Sequence, residues 1–155
     1  MDYAMNPAGT RDTAGLTGKR RLRSRSKTNA WRNVNSNEIE AAASARGFLI
    51  IAPDDFDFLC QVKLMRNARF IIAPEGSALY LAYFVLPGAK LCILNHSLIE
   101  WAVTYSSYLS DAAPQITMLT GPVVRSNPEF PHRADYKIET PQFCEFLDQW
   151  VKTTD

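Results

Sequence analysis

The sequence predicts an α/β domain, a Rossmann-like parallel sheet with helices on both faces. Three observations carry that expectation. Continuous apolar runs recur at residues 48–52 (FLIIA), 69–73 (RFIIA) and 90–94 (KLCIL), as in strands covered on both faces, with helical periodicity between them. The links are short, which favours strands and helices alternating along one sheet. Finally, residues 69–94 read as a buried strand, a turn at Gly76, an apolar helix, a Pro87-Gly88 turn and a second buried strand.

The elements follow in order. Residues 1–18 are small, polar and aperiodic and are expected to be disordered or loosely attached, which leaves residues 19–155 as the folded domain. A first strand is expected near Lys19–Ser24, although five of its six residues are polar. Asn35 or Ser36 suits the N-cap of a helix with Ile39, Ala42 and Ala43 on its apolar face, ending at Gly47. After the strand at 48–52, Asp57 suits the cap of a second helix whose apolar positions are Phe58, Leu59, Val62 and Met65. The strand at 69–73 leads through Gly76 into a helix from about Ser77 to Val85. The strand at 90–94, a helix near Glu100–Leu109 and a strand at Gln115–Leu119 continue the series. Pro122, Pro128 and Pro131 make residues 120–137 an ordered loop. Phe143, Phe146, Leu147, Trp150 and Val151 then fall at i, i+3, i+4, i+7 and i+8, the clearest helix of the chain.

A chain of 155 residues, 46% of them hydrophobic, is long enough for one domain with a genuine core. No run approaches the ~18 apolar residues of a membrane span, and the first residues lack the apolar block of a signal peptide. Cys60, Cys92 and Cys144 are odd in number and widely spaced among apolar neighbours. They read as buried reduced thiols and point to a cytoplasmic compartment. The net charge of +1 conceals an asymmetry: residues 1–32 carry eight basic and two acidic side chains, and the remainder nine basic and fourteen acidic. The basic leader KRRLRSRSKTNAWR has three readings. It is a solvated tail, a nucleic-acid-binding segment with Trp31 as its sole aromatic, or a source of arginines that reach a phosphate crevice.

In parallel sheets ligands sit beyond the carboxyl ends of the strands. Here that edge comprises Ser24-Arg25, Pro53–Phe56, Pro74–Ala78 and Asn95–Ser97, so Arg25 and Gly76 are expected to face a common crevice. A strand that enters a glycine turn and a helix start gathers unpaired amides, and the helix dipole favours a phosphate there by roughly 0.3–2 kcal/mol. Small residues at Gly76, Ser77 and Ala78 keep the backbone open to approach. The turn is neither a G-x-G-x-x-G nor a P-loop, and a plain strand-to-helix link is the alternative. Asp54, Asp55 and Asp57 resemble a metal-holding Asp-x-Asp, but capping explains Asp57 equally well. His96 and His132 lack metal-ligand spacing and read as surface or loop histidines. Ser77 lacks the G-x-S-x-G elbow of a hydrolase.

Four pieces in sequence carry a resemblance. They are Ser24-Arg25; Arg32, Asn35 and Glu38; Gly47-Phe48 followed by a helix carrying Gln61; and the run from Ala68 through Gly76–Leu79 to Phe84, Pro87 and Gly88. Over about residues 20–120 they resemble the carboxy-terminal half of glycosyltransferase family 61, which includes capsular-polysaccharide enzymes. The resemblance implies a GT-B architecture, in which two Rossmann-like domains face one another and the second holds the nucleotide sugar. It implies inverting transfer without metal or cofactor, from a UDP-sugar to a glycan or polysaccharide acceptor, in the cytoplasm or at the inner membrane face.

By that resemblance Arg25 and Arg32 would neutralise the diphosphate, and the amides around Gly76, Ser77, Ala78 and Leu79 would cap it. Glu38 and Gln61 would support the crevice or touch the nucleoside. Each keeps an alternative: Glu38 as a first-turn carboxylate, Gln61 bonded to a neighbouring loop, Arg32 and Asn35 as organisers of the helix entry. Two positions depart from the family pattern, Glu75 where many members carry His and Leu81 where they carry Asn. Beside a diphosphate Glu75 must point away, meet a sugar hydroxyl or be protonated, and it is the candidate acceptor-activating base. The residues before 20 are too few for the amino-terminal domain, so a fragment, a split enzyme or a remnant is expected, completed by a missing domain or partner chain. The rival functions are a non-catalytic nucleotide-binding module and a nucleic-acid-binding protein led by the basic run.

Overall fold

A computed structural model describes residues 21–24, 32–97, 109 and 114–152. Its strands are β1 (Arg21–Ser24), β2 (Leu49–Ile51), β3 (Phe70–Pro74), β4 (Lys90–His96), β5 (Gln115–Gly121), β6 (Val123–Arg125) and β7 (Asp135–Tyr136). Its α-helices are α1 (Ser36–Ala45), α2 (Phe58–Asn67) and α3 (Thr140–Trp150), and 3₁₀ segments span Pro53–Asp55, Ser77–Phe84 and Pro131–Arg133.

Five strands form one all-parallel sheet in the order β2-β1-β3-β4-β5. The order follows from where the chain turns. From β1 it crosses through α1 to β2 on one side, and from β3 onward it builds outward on the other. β1, polar as it reads, therefore lies inside the sheet. Leu22 pairs with both Leu49 and Ile71, so backbone pairing on two sides holds it where hydropathy does not. The run at 48–52, which reads as a strand covered on both faces, instead contributes a three-residue edge strand.

Alternation along the two central strands divides the core. Phe70, Ile72, Cys92 and Leu94 face one layer with α1 and α3, supplying Ile39, Ala43, Phe143, Leu147 and Trp150. Ile71, Ala73, Leu91 and Ile93 face the other, with Leu64 and Met65 of α2, Leu79 and Ala82 of the 3₁₀ segment, Val85 just after it, and Leu109. Helices thus cover both faces, as the sequence predicts. Leu109 is helical and buried, while the remainder of the expected helix near 100–109 lies outside the described residues.

Four further expectations change. Residues 77–84 form a 3₁₀ segment rather than an α-helix, and its three-residue period sorts the side chains. Leu79, Ala82 and Val85 are buried, whereas Tyr80, Tyr83 and Leu86 are 53%, 43% and 47% exposed. In α2 the buried positions are Leu64 and Met65, and Phe58 and Leu59 point to solvent, with the Phe58 ring edge-on to Phe84 at 5.5 Å. The stretch 120–137 is not a loop throughout: β6 and β7 pair antiparallel within it, and its prolines fall outside that pairing. His96 ends β4 as a buried residue rather than a surface one.

All three cysteines are free thiols, Cys92 buried and Cys60 and Cys144 half-buried. No helix among the described residues is long and apolar enough to cross a membrane.

Phe143 joins α3 to the sheet and is fully buried. Phe143→Ala is expected to cost about 3–5 kcal/mol, read as a fall in the urea midpoint at unchanged slope.

Candidate functional site

Where the chain leaves two neighbouring strands in opposite directions, no crossover covers the gap at their carboxyl ends, and ligands of open α/β sheets lodge there. In this molecule the gap opens between β1 and β3. Ser24 closes β1 there, and β3 runs through Pro74 into Glu75 and Gly76. Arg25, the next residue after Ser24, lies outside the described residues.

The turn depends on glycine. Gly76 has φ 155° and ψ 178°, a conformation essentially confined to residues without a Cβ. Its carbonyl accepts the Leu79 N–H at 3.0 Å, the first bond of the 3₁₀ segment, so the amides of Ser77 and Ala78 precede that bond. Leu79 itself is core: its amide is spent on Gly76 and its side chain is buried. It anchors the turn.

Arg32 lies across this turn. Its Nη1 is 2.5 Å from Oε2 of Glu75, and its Nη2 donates to the Glu75 carbonyl at 2.9 Å. A Cβ added to Gly76 would stand 3.8 Å from that same Nη2. One guanidinium thus grips both the carboxylate and the backbone of the residue before the turn. The two side chains are only 23% and 16% exposed, so the ion pair is partly withdrawn from water, where charge-assisted bonds weigh more. Arg32 and Glu75 meet although 43 residues separate them.

The remaining candidates buttress the edge. Gln61 Nε2 donates to the carbonyls of Pro53 and Phe56, both at 2.9 Å, and so fastens the turn after β2 to α2. Asp57 caps α2 by accepting the Cys60 N–H at 2.8 Å, a bond that holds its carboxyl below the ordinary range. The Asn35 side chain does not cap α1. It pairs with the backbone of Ile138, donating to the carbonyl at 2.7 Å and accepting the N–H at 3.2 Å. Glu38 accepts from Thr140 Oγ1 at 2.9 Å and from Asn35 Nδ2 at 3.4 Å, tying the first turn of α1 to that of α3. Among the described residues no three His, Cys, Asp or Glu side chains gather as metal ligands would.

A residue that the sequence reading passes over, Tyr136, also reaches the edge, next to His96. Tyr136 is fully buried and bonds to Arg32 and to β4, and His96 lies beside it with ring centroids 6.3 Å apart. The apolar alternation of Tyr136 and Ile138 is the signal that marks Tyr136, but the prolines upstream obscure it.

Fold and site together describe a doubly wound domain with a glycine turn and a guanidinium at its switch point. The family model for glycosyltransferase 61 matches residues 7–92, more than half of the chain, and the protein belongs to glycosyltransferase family 61. No curated protein sequence matches it.

Gly76→Ala places a Cβ in a conformation that costs about 1–3 kcal/mol, and a lowered thermal midpoint with an unchanged far-ultraviolet spectrum is expected. Hydrogen bonds from Thr140 and then Asn35 hold the Glu38 carboxyl below its ordinary value of 4.5. A depressed folded-state pKa adds stability that is complete above the ordinary value and fades as pH falls through the folded one. Glu38→Gln should therefore flatten the acid limb of the stability curve below pH 4.5, read from urea midpoints across that range.

Proposed function

We propose that this domain holds the nucleotide-sugar donor, a UDP-sugar, in an inverting, metal-independent transfer to a glycan or polysaccharide acceptor. One observation carries the reading: in a member of glycosyltransferase family 61, a guanidinium lies over a glycine turn at the sheet's switch point. Loss of a nucleoside diphosphate builds negative charge on the leaving group, and donors fixed in place stabilise it. Arg32, the amides of Ser77 and Ala78, and Arg25 supply such donors. Gln61 and Glu38 keep the crevice walls in place. A second Rossmann-like domain, facing this one in a GT-B arrangement, brings the acceptor.

Glu75 fits the reading as an anion that the donor displaces. At rest its carboxylate occupies Arg32. When the diphosphate takes the guanidinium, the carboxylate is released beside the anomeric carbon. The acceptor hydroxyl then attacks that carbon, its proton passes to Glu75, and the bond to the diphosphate oxygen breaks with UDP as leaving group. Donor binding and readiness of the base are thereby one event. A specific observation also supports a second reading, a nucleotide-binding module without catalysis: the pairing with Glu75 cancels the charge of Arg32.

Calorimetric titration with UDP in the presence of a chelator tests the reading. Saturable heat is expected. Arg32→Ala should weaken it by about 10- to 100-fold, the loss of a charge-assisted contact. Arg25→Ala should weaken it similarly. Glu75→Gln should bind UDP at least as tightly as the native chain and transfer no sugar. Absence of UDP heat in the native chain refutes donor binding, and binding without transfer when a family-61 amino-terminal domain is supplied favours the non-catalytic module.

A further inference from the structure

We propose that Tyr136 is a positioning residue that sets Arg32 and Glu75 in register across the switch point, and that the segment carrying it straps the site. The inference rests on the donor-binding reading above. Tyr136 lies beyond residues 7–92, the span that the family model matches.

Tyr136 reaches Arg32 through backbone and Glu75 through the Leu94 carbonyl. Its N–H donates to the Arg32 carbonyl at 2.6 Å, and its own carbonyl accepts the Val34 N–H at 2.8 Å, which fixes the chain on either side of Asn33. Its phenol donates to the Leu94 carbonyl at 3.0 Å. That carbonyl also accepts the Glu75 N–H, at 2.9 Å. One residue, 2% exposed, therefore references Arg32 by its own N–H and Glu75 through the acceptor that its phenol shares.

The strap is seated by a second constraint. Residues 133–138 return across the carboxyl ends of β5 and β4, and Lys137 donates to the Pro122 carbonyl at 3.2 Å. A Cβ on Gly121, the last residue of β5, would fall 2.0 Å from the Lys137 carbonyl oxygen, a backbone atom with no freedom to swing away. The absence of a side chain at 121 lets the strap lie flush on the sheet edge. The Asn35–Ile138 pair clamps its far end.

Tyr136→Phe is a suitable probe, because the Leu94 carbonyl keeps the Glu75 donor. The variant should bind UDP about two- to tenfold more weakly, the range of one hydrogen bond. The loss should vanish in an Arg32→Ala background, since positioning acts through that residue. Gly121→Ala, which lifts the strap, should weaken binding at least as much. Leu147→Val, a core change in α3, should lower the thermal midpoint and leave UDP affinity as it was. Unchanged affinity in both strap variants, an equal loss in the Arg32→Ala background, or an equal loss in Leu147→Val overturns the proposal. If the native chain gives no UDP heat, the donor reading fails and the proposal is decided by proton exchange at the Arg32 guanidinium, followed by nuclear magnetic resonance. Faster exchange in Tyr136→Phe supports positioning, and unchanged exchange overturns it.

Discussion

A gap between two strands whose chains part company has to be finished by side chains, and the Arg32–Glu75 pair finishes it here. The pair is an exacting closure. A carboxylate with little solvent around it costs several kcal/mol unless a cation meets it, and a misplaced cation leaves both charges stranded. Much of the carboxyl edge serves this meeting. The conformation of Gly76 turns the chain sharply after Glu75, the Leu94 carbonyl fixes the Glu75 amide, and the return of the chain at Tyr136 fixes Arg32.

That closure alters what ligand binding means at this edge. On the donor-binding proposal, a diphosphate would not arrive at an empty cationic site; it would compete with a carboxylate already in place. A tethered competitor acts at a high effective concentration, so the incoming anion must offer more than one point of contact to prevail. A diphosphate would do so, with one group for the guanidinium and another for the amides that precede the Leu79–Gly76 bond. A monophosphate lacks the second contact. On that proposal, selectivity for the diphosphate would arise from the exchange itself.

The sequence discloses this molecule unevenly, for physical reasons. β3, β4 and α3 are legible because their environments are extreme: strands covered on both faces read as unbroken apolar runs, and a one-faced helix shows its 3.6-residue period. The segment at 77–84 is apolar almost all round, so no periodicity separates an α-helix from a 3₁₀ turn, and only the packing of Leu79, Ala82 and Val85 decides. α2 misleads in the other direction, since Phe58 and Leu59 satisfy helical spacing while facing solvent. At the site, Gly76 and Arg32 are conspicuous by residue type. Their meeting with Glu75 is not, because a pair 43 residues apart leaves no local trace. Tyr136 is more distant still, hidden behind prolines that suggest a loop.

The 3₁₀ start also changes the account of charge at the turn. A long α-helix adds a macrodipole to its free amides, whereas an eight-residue 3₁₀ segment offers chiefly the amides themselves. Stabilisation of an anion then depends on placing individual donors well, and a donor out of place by a fraction of a bond length loses most of its value. This is why the strap bears on the chemistry. Gly121 lets it lie close, Tyr136 transmits its position to two strands, and Asn35 closes it against α1. A site that works through a few discrete donors needs a rigid frame around them, and here the frame is backbone bonded to backbone from β5 to the entry of α1.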